Sequence, residues 1–101
     1  MARSRDYQEG LLASLQDPRE ASEYLNAALE EGDLELFLVA LRNVADAHGG
    51  MSRLAKSTHL NRESLYRTLS EKGNPRVGTL AALLRAMDMR LTVLPLEVPG
   101  G

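Results

Sequence analysis

Helix-breaking residues divide this chain of 101 residues into short segments, and within each segment the apolar residues recur at α-helical spacing. The breaks lie at Asp17-Pro18, Gly32-Asp33, Gly49-Gly50 and Gly73-Asn74-Pro75. Asp caps a helix start well, Pro is tolerated in the first turn, and Gly commonly ends a helix. The pattern therefore predicts five helices. They begin after Asp17, after Asp33, at Met51, after Asn61 and near Val77, and the last runs to Met87.

The apolar stripes of these helices give the predicted core, because helices of a small domain bury one face against each other. The first stripe comprises Ala21, Tyr24, Leu25, Ala28 and Leu29. The second comprises Leu34, Phe37, Leu38, Leu41, Val44 and Ala45. The later helices contribute Leu54, Ala55, Leu65, Thr68, Leu69, Leu80, Leu83, Leu84 and Met87.

Both ends of the chain carry weaker signals. Residues 1–16 form an N-terminal extension in which Leu11, Leu12 and Leu15 predict a short amphipathic turn that docks on the body. Residues 17–94 form the domain, and residues 95–101 form a flexible tail rich in Pro and Gly.

The segment from Met89 to Leu94 alternates apolar and polar residues until Leu94 and predicts a short C-terminal β-strand. A lone strand needs a partner for its backbone N–H and C=O groups. We expect Arg90, Leu91, Thr92 and Val93 to pair with the same strand of a second copy or with the sheet edge of another protein. The alternative is an extended segment packed on the helices.

The composition excludes several classes of protein. The chain has no cysteine, which removes disulfide frameworks, thiolate metal sites and cysteine nucleophiles. Its longest apolar run, residues 36–41, is far below the roughly 20 residues of a membrane-spanning helix. Charged residues come first at the N-terminus, so no secretory signal is predicted and we expect a cytoplasmic protein without membrane contact.

The net charge of −2 conceals two halves of opposite sign. Residues 1–48 carry four cations and ten anions, whereas residues 49–101 carry eight cations and four anions. Such asymmetry predicts two surfaces, one suited to an anionic partner and one to a basic partner. Chance can also produce a split of this size among so few charges.

The segment from Gly50 to Arg76 has the spacing of a helix, a three-residue turn and a second helix. Ala55 is small where the two helices must approach each other, and the Leu60 side chain is expected to fill the inside of the turn. His59 stands where the turn often requires a left-handed residue, a conformation that His tolerates better than most residues do. The arrangement predicts a helix-turn-helix, and the alternative is an α-hairpin with a solvated cationic face.

The second helix of this unit is the candidate DNA-reading element. Its predicted exposed face suits the major groove, because Arg reads guanine O6 and N7 in a bidentate way. The residues predicted to contact bases are Arg62, Glu63, Tyr66 and Arg67. Those predicted to contact phosphates are Ser52, Arg53, Lys56, Asn61, Ser64, Lys72, Asn74 and Arg76.

The chain resembles the probable addiction-module antidote proteins, which are HigA-like antitoxins of the lambda-repressor-like (XRE) helix-turn-helix group. The resemblance covers residues 5–94, and its most specific part is Asn61–Pro75, with further matches over residues 17–33, at Phe37-Leu38 and at Gly49-Gly50-Met51-Ser52. It implies a compact, five-helix, all-α fold with the terminal strand. It also implies a homodimer that represses its own operon by binding operator DNA and neutralises a toxin of RelE/ParE-like fold. His59 departs from the family pattern, which usually has glycine there, at a cost of about 1 kcal/mol in stability.

Toxins of that fold are usually basic, so the acidic front half suits such a partner. The candidate residues are Glu20, Glu23, Glu30, Glu31, Asp33 and Glu35, although each also fits an ordinary solvated helix face.

Nothing in the sequence predicts an enzyme. His48 and His59 lack the spacing of a metal pair, no phosphate-binding loop is present, and no serine has a paired base. We therefore expect no catalytic residue, metal, cofactor or small-molecule substrate. The alternative to a DNA-binding antitoxin is an interaction module that binds a basic partner without sequence-specific DNA binding.

Overall fold

A computed structural model describes residues 2–70 and 72–97, with side chains described from residue 6 onward. This part of the chain is helical and contains six helices where five were predicted. Their bounds are α1 Ala2–Leu15, α2 Pro18–Glu30, α3 Leu34–Ala47, α4 Gly50–Thr58, α5 Arg62–Thr68 and α6 Val77–Ala86. No described helix is both long enough and apolar enough to cross a membrane.

The predicted helix starts at Asp17, Asp33 and Asn61 are confirmed by their side-chain caps. Asp17 Oδ1 accepts from the Arg19 backbone N–H at 2.9 Å, and Asp33 Oδ1 accepts from that of Leu36 at 3.2 Å. Gly32, between α2 and α3, has a φ of +73°, which glycine adopts without steric cost. The local chemistry of these residues therefore sets where the helices begin and where the chain turns.

Helix α3 lies at the centre of the core and packs against α1, α2 and α4. Its Leu38, Leu41 and Val44 side chains are completely buried. The remaining buried apolar residues lie on α3 itself, on the other five described helices and directly after α5 and α6: Leu15, Ala21, Leu25, Ala28, Phe37, Ala40, Ala45, Met51, Leu54, Leu65, Leu69, Leu83, Leu84 and Met87. The structure thus confirms most of the predicted core.

The prediction of only a short turn near Leu11, Leu12 and Leu15 is wrong, because residues 2–15 form a regular helix. Leu15 is 1% exposed in the core, and Leu11 packs against the core from the same side of α1. The His48 ring Nε2 lies 3.1 Å from the Leu15 carbonyl oxygen. Since a carbonyl only accepts, Nε2 carries the proton and satisfies an otherwise unpaired carbonyl at the helix end.

The predicted strand is also wrong for the single chain, because residues 89–97 form neither helix nor strand in the described structure. The Met89 N–H donates to the Leu84 carbonyl at 2.8 Å and closes the end of α6. No neighbouring segment in the described residues supplies a ladder for Arg90, Leu91, Thr92 and Val93. The predicted flexible tail lies outside the described residues from 98 onward.

Two residues assigned to the core, Leu29 and Leu34, are each 54% exposed. They form a wall of a groove of about 420 Å³ whose floor includes Leu25, Phe37 and Leu84. The other lining residues are Ser22, Asn26, Asn74, Pro75, Leu80, Met89, Arg90, Leu91 and Thr92. The helical periodicity places Leu29 and Leu34 on the same faces as the buried residues of α2 and α3. In the described residues, however, no other element covers these two leucines. We call this feature the apolar groove.

Replacing Leu15 with Ala tests the docking of α1. Loss of a completely packed leucine should lower the free energy of unfolding by about 2–4 kcal/mol, which urea denaturation measures. Tyr7→Ala is the control, because Tyr7 lies on the same helix and is 73% exposed, and it should change stability by less than about 0.5 kcal/mol. Equal effects of the two substitutions would contradict the docked helix.

Candidate nucleic-acid interface

Helices α4 and α5 are joined by three residues, 59–61, and pack against each other. Helix α4 buries Met51 and Leu54, while Ala55 is half-buried against the core. Helix α5 has only seven residues and buries Leu65, and Leu69 directly after it is also buried. The predicted helix, turn and helix are therefore present, and two leucines fix which side of α5 faces outward.

The turn after α4 depends on His59, which has φ +60° and ψ +25°. This confirms the predicted left-handed residue. The backbone N–H groups of His59 and Leu60 both donate to the Ala55 carbonyl, the second at 3.2 Å. The Thr58 hydroxyl donates to the Leu54 carbonyl at 2.6 Å. These bonds satisfy the last carbonyls of α4 and hold the turn in one conformation.

The outward face of α5 presents the four residues predicted to contact bases. Arg62, Glu63, Tyr66 and Arg67 are all exposed, and Tyr66 has 53% of its surface accessible. The Arg62 guanidinium lies over the Tyr66 ring, 5.5 Å from the ring centroid. This cation–π contact favours the rotamers of Arg62 that hold its guanidinium N–H donors beside Tyr66, near the start of the helix.

The eight residues predicted to contact phosphates are all exposed and surround α5 on three elements. Ser52, Arg53 and Lys56 lie on α4, Asn61 caps α5, Ser64 lies on α5, and Lys72, Asn74 and Arg76 lie on the connection to α6. Asn61 already uses its Oδ1 to accept from the Ser64 N–H at 3.0 Å, so its amide N–H groups are what remains for a phosphate. Asn74 also borders the apolar groove.

One residue that positions this face was not identified from the sequence. Arg42, on α3, donates from Nη1 to the Leu69 carbonyl at 2.8 Å and is partly buried. The bond ties the C-terminal end of α5 to the central helix across 27 positions of sequence. A sequence signal exists, because Arg42 stands four residues after Leu38 and next to Leu41, close to the buried stripe.

The turn after α5 leaves no space for a side chain at Gly73. A Cβ atom there would overlap the Thr68 carbonyl group, and the Gly73 N–H donates to the Ser70 carbonyl at 2.8 Å. Glycine is required here by the close approach of two backbone segments. The connection that carries Lys72 and Arg76 is therefore held directly against the end of α5.

Comparisons with known proteins relate the amino-acid sequence to a family. A family model described as "Probable addiction module antidote protein" matches residues 10–95. An uncharacterized protein of Haemophilus influenzae is 39% identical over 70 residues, which cover 69% of this chain and 71% of that protein. No solved structure matches the chain.

Replacing Arg42 with Met tests the anchor of α5, because Met keeps an apolar stem but cannot donate to the Leu69 carbonyl. A lost bond from a charged donor should lower the free energy of unfolding by about 1.5–3 kcal/mol in urea denaturation. Amide hydrogen exchange within α5 should accelerate more than exchange within α2. Arg19→Met, at an exposed position of α2, is the control and should have little effect; unchanged exchange in α5 would contradict the anchoring role.

Proposed function

The chain belongs to the family of probable addiction module antidote proteins, and from that membership we propose how it acts. It binds and neutralises a small basic toxin of RelE/ParE-like fold. As a homodimer it also binds operator DNA through α4 and α5 and represses its own operon. The antidote role is that of the family, whereas the toxin class, the DNA and the dimer are our proposals.

The observation that carries the DNA proposal is the exposed face of α5. Leu65 and Leu69 anchor its inner side, so Arg62, Tyr66 and Arg67 all point away from the body. Arginine forks fit the O6 and N7 acceptors of guanine in the major groove, and Glu63 is placed to accept from cytosine N4. In this proposal α5 enters the major groove as the recognition helix.

The cations around α5 support the same orientation. Four exposed cations lie on the elements that flank the recognition helix. Two are on α4 and two are on the connection after α5: Arg53, Lys56, Lys72 and Arg76. In a duplex complex, such flanking groups contact the phosphates that border the groove. Neutralising several phosphates gives most of the binding free energy and makes it steeply dependent on salt.

The proposed dimer uses the C-terminal segment. Arg90, Leu91, Thr92 and Val93 have the alternating pattern of a strand, and in the described single chain they have no strand to pair with. Pairing with the same residues of a second copy across a two-fold axis would satisfy both backbones. Two recognition helices about 34 Å apart would then meet successive major grooves of a two-fold symmetric operator.

The acidic front half is the proposed surface for the toxin. Glu20, Glu23, Glu30, Glu31, Asp33 and Glu35 are all exposed, and Asp33 in addition caps α3. A basic partner gains faster association from such a field. Since these residues lie on α2, α3 and the turn between them, the recognition helix carries none of them.

Substitution of the two arginines tests DNA binding. An electrophoretic shift with the promoter of the gene should show specific binding, and a protein that contacts about six phosphates should give a log–log salt slope near −5. Arg62→Ala or Arg67→Ala should each weaken specific binding by about 1–3 kcal/mol and relax base preference. Arg19→Ala, an exposed cation on α2, should leave binding almost unchanged.

The alternative function makes the opposite prediction for this experiment. A slope near zero, or equal affinity after both arginines are removed, would identify an interaction module whose helix-turn-helix is only a scaffold.

Neutralising part of the acidic surface tests the toxin proposal. The triple substitution Glu30→Gln, Glu31→Gln and Glu35→Gln should slow association with the proposed basic toxin about tenfold at low salt, with little change in dissociation. Stopped-flow or surface-plasmon kinetics measure both rates. Asp6→Asn with Glu9→Gln on α1 is the control, and an equal loss there would contradict a localised acidic docking surface.

A further inference from the structure

The apolar groove is an unfilled continuation of the core. Its floor residues Leu25, Phe37 and Leu84 are nearly inaccessible, whereas Leu29 and Leu34 on the wall are half exposed. Leu91, at the start of the C-terminal segment, completes the lining and is 43% exposed. Contact of this set of leucines with water is unfavourable, so we expect an apolar occupant in the groove.

The chain itself carries an exposed apolar segment next to the groove. Directly after the groove-lining residues come Val93, Leu94, Pro95 and Leu96, and the three aliphatic side chains are 94%, 78% and 93% exposed. This segment has no helix, strand or turn. We call residues 93–96 the tail segment.

We propose that the tail segment of each copy fills the apolar groove of a second copy, so that two chains exchange their C-terminal segments reciprocally. The proposal rests on the homodimer proposed above and assigns its interface. The occupant of the groove is thus a second copy of this chain.

Sequence and geometry disfavour the same tail segment as occupant of its own groove. Leu91 and Thr92 already line the groove from one side, so the segment would have to reverse direction within Val93 and Leu94 to enter it. Leu94 precedes Pro95, and a residue before proline is restricted to extended conformations. The tail segment therefore continues away from the body that precedes it.

Antiparallel pairing brings the tail segment to the groove of the partner. When residues 90–93 of two copies pair across a two-fold axis, the residues after 93 in one chain run beside those before 90 in the other. Met89 and Arg90 line the groove, so the pairing leads the tail segment along the groove wall.

The reciprocal exchange buries twice the area that a single tail would bury. An extended residue exposes about 160 Å², so two tail segments of four residues lose roughly 800 Å² when they are about two-thirds buried. The two grooves lose a smaller area, which brings the exchange to roughly the 1,000 Å² that a specific interface needs. One tail in one groove would supply only half of this area.

Charge also favours the exchange. Among the described residues that line the groove, Arg90 is the charged one, and no carboxylate lies there. The tail segment is uncharged, so it brings no ion into the apolar floor.

Cysteine cross-linking of two different variants tests the exchange in the full-length protein. The natural chain has no cysteine, so Leu34→Cys and Leu96→Cys each introduce a unique thiol at an exposed position. After the two variants are mixed and allowed to exchange subunits, a short bismaleimide should join one chain of each kind into a covalent heterodimer. Val77→Cys, which is 74% exposed and outside the groove, replaces Leu34→Cys in the control mixture and should give no such product with Leu96→Cys.

Polar substitutions test the energetic role of the tail segment. Leu94→Asp and Leu96→Asp should each raise the dimer dissociation constant at least tenfold, as measured by sedimentation or light scattering over a dilution series. Val77→Asp is the matched control and should change the constant less than twofold. Circular dichroism of each variant confirms that the helices remain folded.

The outcomes separate the exchange from the proposed function. Loss of the dimer when residues 89–101 are deleted, without any effect of Leu94→Asp or Leu96→Asp, would retain strand pairing and overturn the exchange. A natural protein that stays monomeric throughout the dilution series would overturn both the exchange and the proposed homodimer. Equal cross-linking in the Val77 control would also overturn the exchange, whereas the arginine substitutions test DNA contact by α5 in a separate experiment.

Discussion

The described structure depends on the complete burial of one face of α3. Leu38, Leu41 and Val44 on that face lose all contact with water, and α1, α2 and α4 pack around them. In a domain of about 100 residues the net stability is a small difference between large terms, so a single central helix supplies much of the surface that every other element needs. Arg42, on the same helix, connects α3 to the end of α5 through its bond to the Leu69 carbonyl.

That bond matters because α5 is too short to be stable alone. An isolated helix of seven residues does not form in water, since nucleation fixes several residues for each hydrogen bond gained. Tertiary contacts must therefore maintain it, namely two buried leucines on its inner side and Arg42 at its end, in addition to the local Asn61 cap at its start. The outward direction of its side chains is a consequence of how its inner side is held.

Features set by local chemistry were predictable from the sequence, and features set by distant contacts were not. The Asp and Asn caps and the left-handed His59 follow from each residue's own preferences, and they lie where the sequence predicted them. Helix α1 escaped prediction because its leucines give only a weak stripe and its end is satisfied by His48, 33 positions away. The strand was predicted wrongly because an alternating pattern specifies a face, whereas a ladder also requires a partner. Leu29 and Leu34 fit the helical period, which does not tell whether a covering element exists.

The exposed face of α5 and the apolar groove both border the connection between α5 and α6. Gly73 holds this connection against the Thr68 carbonyl, and its next residues, Asn74 and Pro75, line the groove. A partner chain seated in the groove would therefore contact a segment whose position relative to α5 is fixed by backbone packing. In the proposed dimer, the contacts at the groove would therefore set the distance between the two α5 helices. Operator spacing and dimer geometry would then be set by the same few contacts.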